Sequence, residues 1–210
     1  MDDKVIITIG RQFGSGGHEI GKMLAEELGY KLYDKELLKL QAENSGIAER
    51  VLESYDETPT NSLLYSIVMD VYPSMNYIGS SLSQQIYQSQ FDAIRKLQET
   101  GDCVIVGRGA DYVLRDYSRL VTVFIQADIN KRAARVAEYE KISPDKAKDM
   151  IIKADKKRAN FYNFQTEKKW GAASSYQLTL DSGAIGYEGA VEIIKDFVAL
   201  RKRQWAEEGK

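Results

Sequence analysis

An apolar run, Val5 to Ile9, passes directly into Gly14-Ser15-Gly16-Gly17 and then into helix-period sequence, so residues 4–21 (KVIITIGRQFGSGGHEIG) spell a strand, a glycine turn and a helix. Such a turn aims successive backbone N–H groups at one point. The first turn of the following helix adds unpaired N–H groups with positive dipole character, and together they make an anion site. The spelling departs from the phosphate-loop pattern G-x-x-x-x-G-K-[ST]: with Gly16 as its last glycine, Gly17 stands at the lysine and His18 at the hydroxyl. An ordinary tight turn and a dinucleotide loop are the alternatives. Asp34 follows Gly14 by about twenty residues, the separation of a ribose-binding acid, but G-x-G-x-x-G needs glycine at position 19, where the chain has Glu19.

Further apolar, β-branched runs occur at Tyr30 to Tyr33, Cys103 to Val106, Leu120 to Ile125 and Tyr176 to Leu180, with helix-period segments between them. The alternation predicts an α/β fold with a parallel sheet. The runs from Val5, Cys103 and Leu120 are nearly continuous in Val and Ile, as for strands covered on both faces; Tyr30 to Tyr33 reads as an edge. Right-handed crossovers bring the loops after the strands to one end of the sheet, where open α/β folds bind ligands. Gly14 to Gly17, Asp34, Gly107 to Gly109, Asp128 and Asp181 all fall there.

Residues 44–100 are too long for a simple crossover. Asn61 to Val71 and Ile78 to Leu97 show helical spacing, with breaks at Asp56 to Pro59 and Tyr72 to Ser74, which predicts a helical insertion; the oligomeric state is left open, a homodimer through this insertion being one option. Ser143-Pro144 reads as N-cap and first residue of a helix to about Phe161. The polar stretch Asn163 to Ser175 reads as a mobile connection, and Glu188 to Trp205 as a closing amphipathic helix. The 210 residues, 43% hydrophobic, suffice for one domain spanning 1–210.

With 29 basic and 31 acidic residues the net charge is −2, which argues against nucleic acid or an anionic membrane as partner. Cys103 is the one cysteine; inside CVIVG it reads as a small buried thiol. The N-terminus has no signal-peptide pattern and no run reaches the length of a membrane span, so a cytoplasmic location is expected.

Several cations surround the predicted ligand edge. Arg11 precedes the glycine loop, and Arg108 sits between Gly107 and Gly109 just after a buried strand, where a guanidinium suits phosphate or carboxylate. Arg132 and Arg135 are three residues apart, as are Asp155 and Arg158, so each pair shares a helix face. Clustered arginines beside a phosphate pocket serve phosphoryl transfer; alone they read as Asp-paired or solvated helix faces. His18, the sole histidine, follows the loop as an N-terminal donor, with no orienting partner identifiable in sequence. Trp170, Tyr162 and Tyr176 read as packing residues in preference to a base-stacking set.

These segments, together with YQLTLDSGAIGYEGAVEII at residues 176–194, resemble the cytidylate kinase-like branch of the P-loop nucleoside monophosphate kinases. The resemblance implies a three-layer P-loop kinase fold: a five-stranded parallel sheet of order 2-3-1-4-5, a helical NMP-binding insertion at 44–100 and a helical lid at 131–162. It implies ATP and Mg²⁺ as cofactors and phosphoryl transfer to a small acceptor, a nucleoside monophosphate such as CMP or dCMP. Gly14, Ser15, Gly16, Gly17 and His18 would hold the donor phosphates. Asp34, Arg108 and Asp155 would bind the acceptor, and Arg11, Arg132, Arg135 and Arg158 would stabilise the transferred group, with Arg11 or a lid arginine replacing the missing lysine. For Mg²⁺, Ser15 and Asp34 are candidates beside phosphate and water. Gly109 stands where cytidylate kinases carry an aspartate. The alternative is a nucleotide-binding protein with a degenerate loop and no turnover, closing over its ligand as a signal.

Overall fold

The structure is a computed structural model that describes residues 4–34 and 87–208. In chain order the elements are β1 (Ile6–Arg11), α1 (Gly17–Leu28), β2 (Lys31–Tyr33), β3 (Cys103–Val106) and α2 (Ala110–Val113). There follow β4 (Leu120–Gln126), α3 (Ile129–Glu140), α4 (Pro144–Gln165), β5 (Leu178–Asp181) and α5 (Ser182–Glu208). The strands form one sheet in the order β2-β3-β1-β4-β5, every pairing parallel. That is the expected order. It follows from the hydrophobic runs: Val5, Ile6, Ile7 and Ile9 and all of Cys103 to Val106 are fully buried, as central strands covered on both faces require.

Alternation along β1 divides the core. Ile7 and Ile9 face α1 and α5, packing with Ile20, Leu24, Val191, Ile194 and Val198. Ile6 faces the other way, onto Ile94, Leu97, Ile105 and Val113. Cys103 is wholly buried there, and burial pushes its thiol up to about 12, so it is the inert apolar residue the sequence suggested. The insertion expected at 44–100 lies outside the described residues up to position 86. From there residues 87–96 are helical and end in a tight turn, Leu97–Glu99. The predicted lid segment, 131–162, falls on α3 and α4, which share a small core of Ala133, Val136, Ala147 and Ile151. No helix among the described residues is long and apolar enough to cross a membrane.

Four boundaries differ from expectation. β1 reaches Arg11 because the strand keeps pairing with Ile125 of β4. α4 continues past Phe161 to Gln165, and the stretch read as a mobile connection is tied down. Asn163 Oδ1 accepts from the Trp170 N–H at 2.8 Å, and the Trp170 ring meets Phe124 edge-on at 5.3 Å. Tyr176 is not the start of β5: its ring packs 4.8 Å from Phe124, and the strand begins at Leu178. α5 begins at Ser182, six residues before the predicted Glu188, with a break at Gly186 where φ is 75°.

Candidate functional site

The glycine turn holds its shape through its own polar groups. Gln12 receives two bonds at its carbonyl, from the Ser15 N–H at 3.2 Å and the Ser15 hydroxyl at 2.8 Å. Gln12 is itself fixed to β4, since its N–H donates to the Ile125 carbonyl at 3.0 Å, and its side-chain oxygen accepts from the Ala127 N–H just past that strand at 3.1 Å. Gly14 (φ 76°) and Gly16 (φ 81°) are left-handed, which reverses the chain into α1. The first α1 amide to bond back is Ile20, to the Gly16 carbonyl at 2.9 Å. The N–H groups of Gly17, His18 and Glu19 find no acceptor among the described residues, which is the amide cradle the sequence predicted.

On the β4–β5 side the predicted lid arginines brace this turn by its carbonyls. Arg132, buried, donates through Nε to the Ala127 carbonyl at 2.9 Å and through Nη1 to Phe13 O at 3.1 Å and Asp155 Oδ2 at 2.6 Å. Asp155 Oδ1 in turn accepts from the Phe13 N–H at 2.7 Å. Arg135 donates to Ser15 O at 3.3 Å and to both oxygens of Ser182 at 3.3 Å, with its guanidinium 5.0 Å above the Tyr187 ring. Ser182 completes this brace by donating its hydroxyl to Ser15 O at 2.5 Å. Sequence reasoning passed over Ser182 and Tyr187; the only signal was their place just after the fifth strand.

On the β2–β3 side Asp34 directly follows β2 and gathers two partners. Arg108 Nη1 donates to its carbonyl at 2.6 Å and its Oδ1 at 3.2 Å, and His18 Nδ1 lies 2.8 Å from Oδ2. His18 therefore has the orienting partner that the sequence did not reveal, because α1 and β2 end at the same edge. The imidazole, half-exposed, is anchored at the ligand edge through Nδ1. Arg108 is 4% exposed with φ 57°, between Gly107 (φ 81°) and Gly109 (φ 63°). Of these three left-handed residues only Arg108 carries a Cβ, so the strain is stored at the residue that the sequence marks as functional.

A cleft lies between these groups, at the ends of β1 and β3. Arg11, Gly107, Asp111, Arg158, Tyr162 and Trp170 line it. Arg158 Nη1 donates to the Arg11 carbonyl at 3.3 Å and stands over the Phe13 ring. Tyr162 donates its hydroxyl to Asp111 Oδ2 at 2.6 Å. Asp111 was not singled out from sequence, as nothing in GADYV distinguishes it from a surface acid in a turn. Burial pushes its carboxyl above the usual carboxylate range, against the opposing pull of the Tyr162 bond. A raised folded value means that Asp111 favours folding most below its unfolded value of 3.8, and that this contribution is lost as pH rises toward the folded value. Asp111→Asn keeps an acceptor for Tyr162 without a buried charge. Its melting temperature, taken across a pH series, should equal the parent near pH 3.8 and exceed it increasingly at higher pH.

The amide cradle at the carboxyl end of a five-stranded parallel sheet of this order defines a P-loop kinase fold. The pattern of the Cytidylate kinase-like family matches residues 6–184, and the chain belongs to that family. The chain is 24% identical over 198 residues to the cytidylate kinase of Pyrococcus horikoshii, covering 92% of this chain and 88% of that one. Among solved structures it resembles an uncharacterized protein from Eubacterium ventriosum at 31% identity and TM-score 0.70, over 93% of this chain and 99% of the other. It also shares the fold of a gluconokinase from Sinorhizobium meliloti, at 15% identity and TM-score 0.55 over all of both chains.

Proposed function

We propose that this protein transfers the γ-phosphoryl group of ATP, with Mg²⁺, to a small acceptor, and that the acceptor is a nucleoside monophosphate of the CMP or dCMP kind. The observation that carries this reading is the left-handed Gly14–Gly16 turn, which leaves the amides of Gly17, His18 and Glu19 to receive a phosphate tail. Family membership supports the acceptor class. Little covalent chemistry is asked of the protein, so its residues act by position and charge. Arg132, Arg135 and Asp155 hold the loop in shape, while Arg11 and Arg158 bring positive charge to the cleft. Asp34 and Arg108, paired beyond the end of β2, form the acceptor side.

The donor set suits Mg²⁺ only as a cation carried largely by phosphate and water. Among the described residues no three His, Cys, Asp or Glu side chains converge, the Ser15 hydroxyl is bonded to Gln12, and Asp34 meets His18 and Arg108. Mg²⁺ would supply charge neutralisation between the phosphates.

A specific observation favours a second reading, binding without turnover: Gly17 replaces the phosphate-loop lysine, and Arg132 and Arg135 bond protein carbonyls. Incubation with ATP, Mg²⁺ and a panel of nucleoside monophosphates distinguishes the two. ADP and a nucleoside diphosphate should appear together, fastest with CMP or dCMP; nucleotide binding with no product across the panel would establish the second reading.

A further inference from the structure

The lysine position of this loop is glycine for a steric reason. A Cβ built on Gly17 would lie 2.5 Å from Arg11 Cβ and 2.9 Å from Arg11 Cγ. Both contacts are to the root of the arginine side chain, which cannot swing aside as a flexible tip does. The volume in which a lysine at position 17 would begin is therefore filled by the stem of Arg11, the last residue of β1. Arg11 also lines the cleft at the strand ends, beside Gly10, Gly107 and Arg158. Its backbone is secured, since the Arg11 carbonyl accepts from Arg158.

Arg158 shares the cleft with Arg11 and donates to its carbonyl. Arg132 and Arg135 bond loop carbonyls, Arg132 also pairs with Asp155, Lys131 Nζ donates to the Gly183 carbonyl at 2.5 Å, and Arg108 is held by Asp34. We infer that the loop's cation has moved from the first residue of the helix to the last residue of the strand. Arg11 takes the part of the phosphate-loop lysine toward the terminal phosphates of a nucleoside triphosphate, and Gly17 is the vacancy that makes room for it. This rests on the nucleotide-binding reading above and goes further by assigning one residue and explaining the broken motif. A guanidinium there offers a planar fork of donors where lysine offers a point charge.

Calorimetric titration with a non-hydrolysable ATP analogue, ADP and AMP tests the assignment without needing an acceptor. Arg11→Ala should weaken the ATP analogue at least tenfold and ADP less, and leave AMP unchanged, with a thermal melt confirming that the variant is folded. The reciprocal variant, Arg11→Gly with Gly17→Lys, should regain at least tenfold in analogue affinity over Arg11→Gly alone. Glycine is required at position 11 because an alanine Cβ would still meet the new side chain. Arg11→Ala binding all three nucleotides as the parent does, or a folded reciprocal variant no better than Arg11→Gly, would overturn the assignment. A parent protein that binds none of the three would instead remove the nucleotide-binding reading itself.

Discussion

Gly16→Ala should lower the melting temperature by roughly 4–20 °C and weaken ADP and ATP-analogue binding by at least tenfold, read by calorimetric titration. Two separate costs add. Position 16 has φ 81°, and a left-handed L-residue costs about 1–2 kcal/mol. The added Cβ would also lie 2.2 Å from Tyr187 Cε1 and 2.5 Å from Cζ, so the ring must move, an overpacking cost of about 1–3 kcal/mol. Tyr187 carries the Arg135 guanidinium on its face, so its displacement disturbs the brace on Ser15 as well. Gly29→Ala separates the terms: φ there is 67°, but no atom lies within 4 Å of the new Cβ. It should lose only the strain, about 1–2 kcal/mol, with nucleotide binding intact. Adding Tyr187→Ala to Gly16→Ala should leave that strain and remove the clash. Equal losses at Gly16 and Gly29 would show that the tyrosine does not limit the space under the loop.

The sheet was legible because its strands announce themselves. Val5 to Ile9 and Cys103 to Val106 are unbroken apolar runs, and the glycine turn between strand and helix has few alternative folds. What local pattern missed was set by tertiary contact. Tyr176 looks like a strand residue, yet its ring is drawn to Phe124 and Tyr162, an arrangement that depends on Gly10 having no side chain: a Cβ there would lie 2.8 Å from the Phe124 ring. The polar composition of Asn163 to Ser175 suggested mobility because the bond from Trp170 N–H to Asn163 is invisible in composition. In the site, the positions of Arg11, Arg108, Arg132, Arg135, Asp155 and Arg158 at one sheet edge followed from topology. Their partners did not. The bond from Arg132 to Phe13 and the contact between His18 and Asp34 join elements whose relative placement only the packed sheet decides.

Asp155→Ala should cost about 3 kcal/mol, a fall of roughly 6–12 °C in melting temperature, although the residue lies far from the loop in sequence. The Arg132 side chain is 8% exposed and loses the carboxylate it pairs with, while the Phe13 N–H loses its acceptor. Breaking a buried pair from one side leaves an uncompensated charge, typically about 3–5 kcal/mol; Arg132 keeps the Ala127 and Phe13 carbonyls, which places this case at the low end. Removing both charges with Arg132→Met and Asp155→Ala should therefore be milder than the sum of the single changes, because no charge is stranded. A double variant that loses the full sum would mean that the carboxylate acts through Phe13 alone. The distinction bears on function, since Asp155 is where α4 grips the loop: its two oxygens hold Phe13 and Arg132, and Arg132 returns to the Phe13 carbonyl. Loosening that grip should raise amide exchange from Phe13 to Gly17 in Asp155→Ala. Nucleotide affinity should fall with it, because a cradle that must be ordered at the moment of binding spends part of its interaction energy on that ordering.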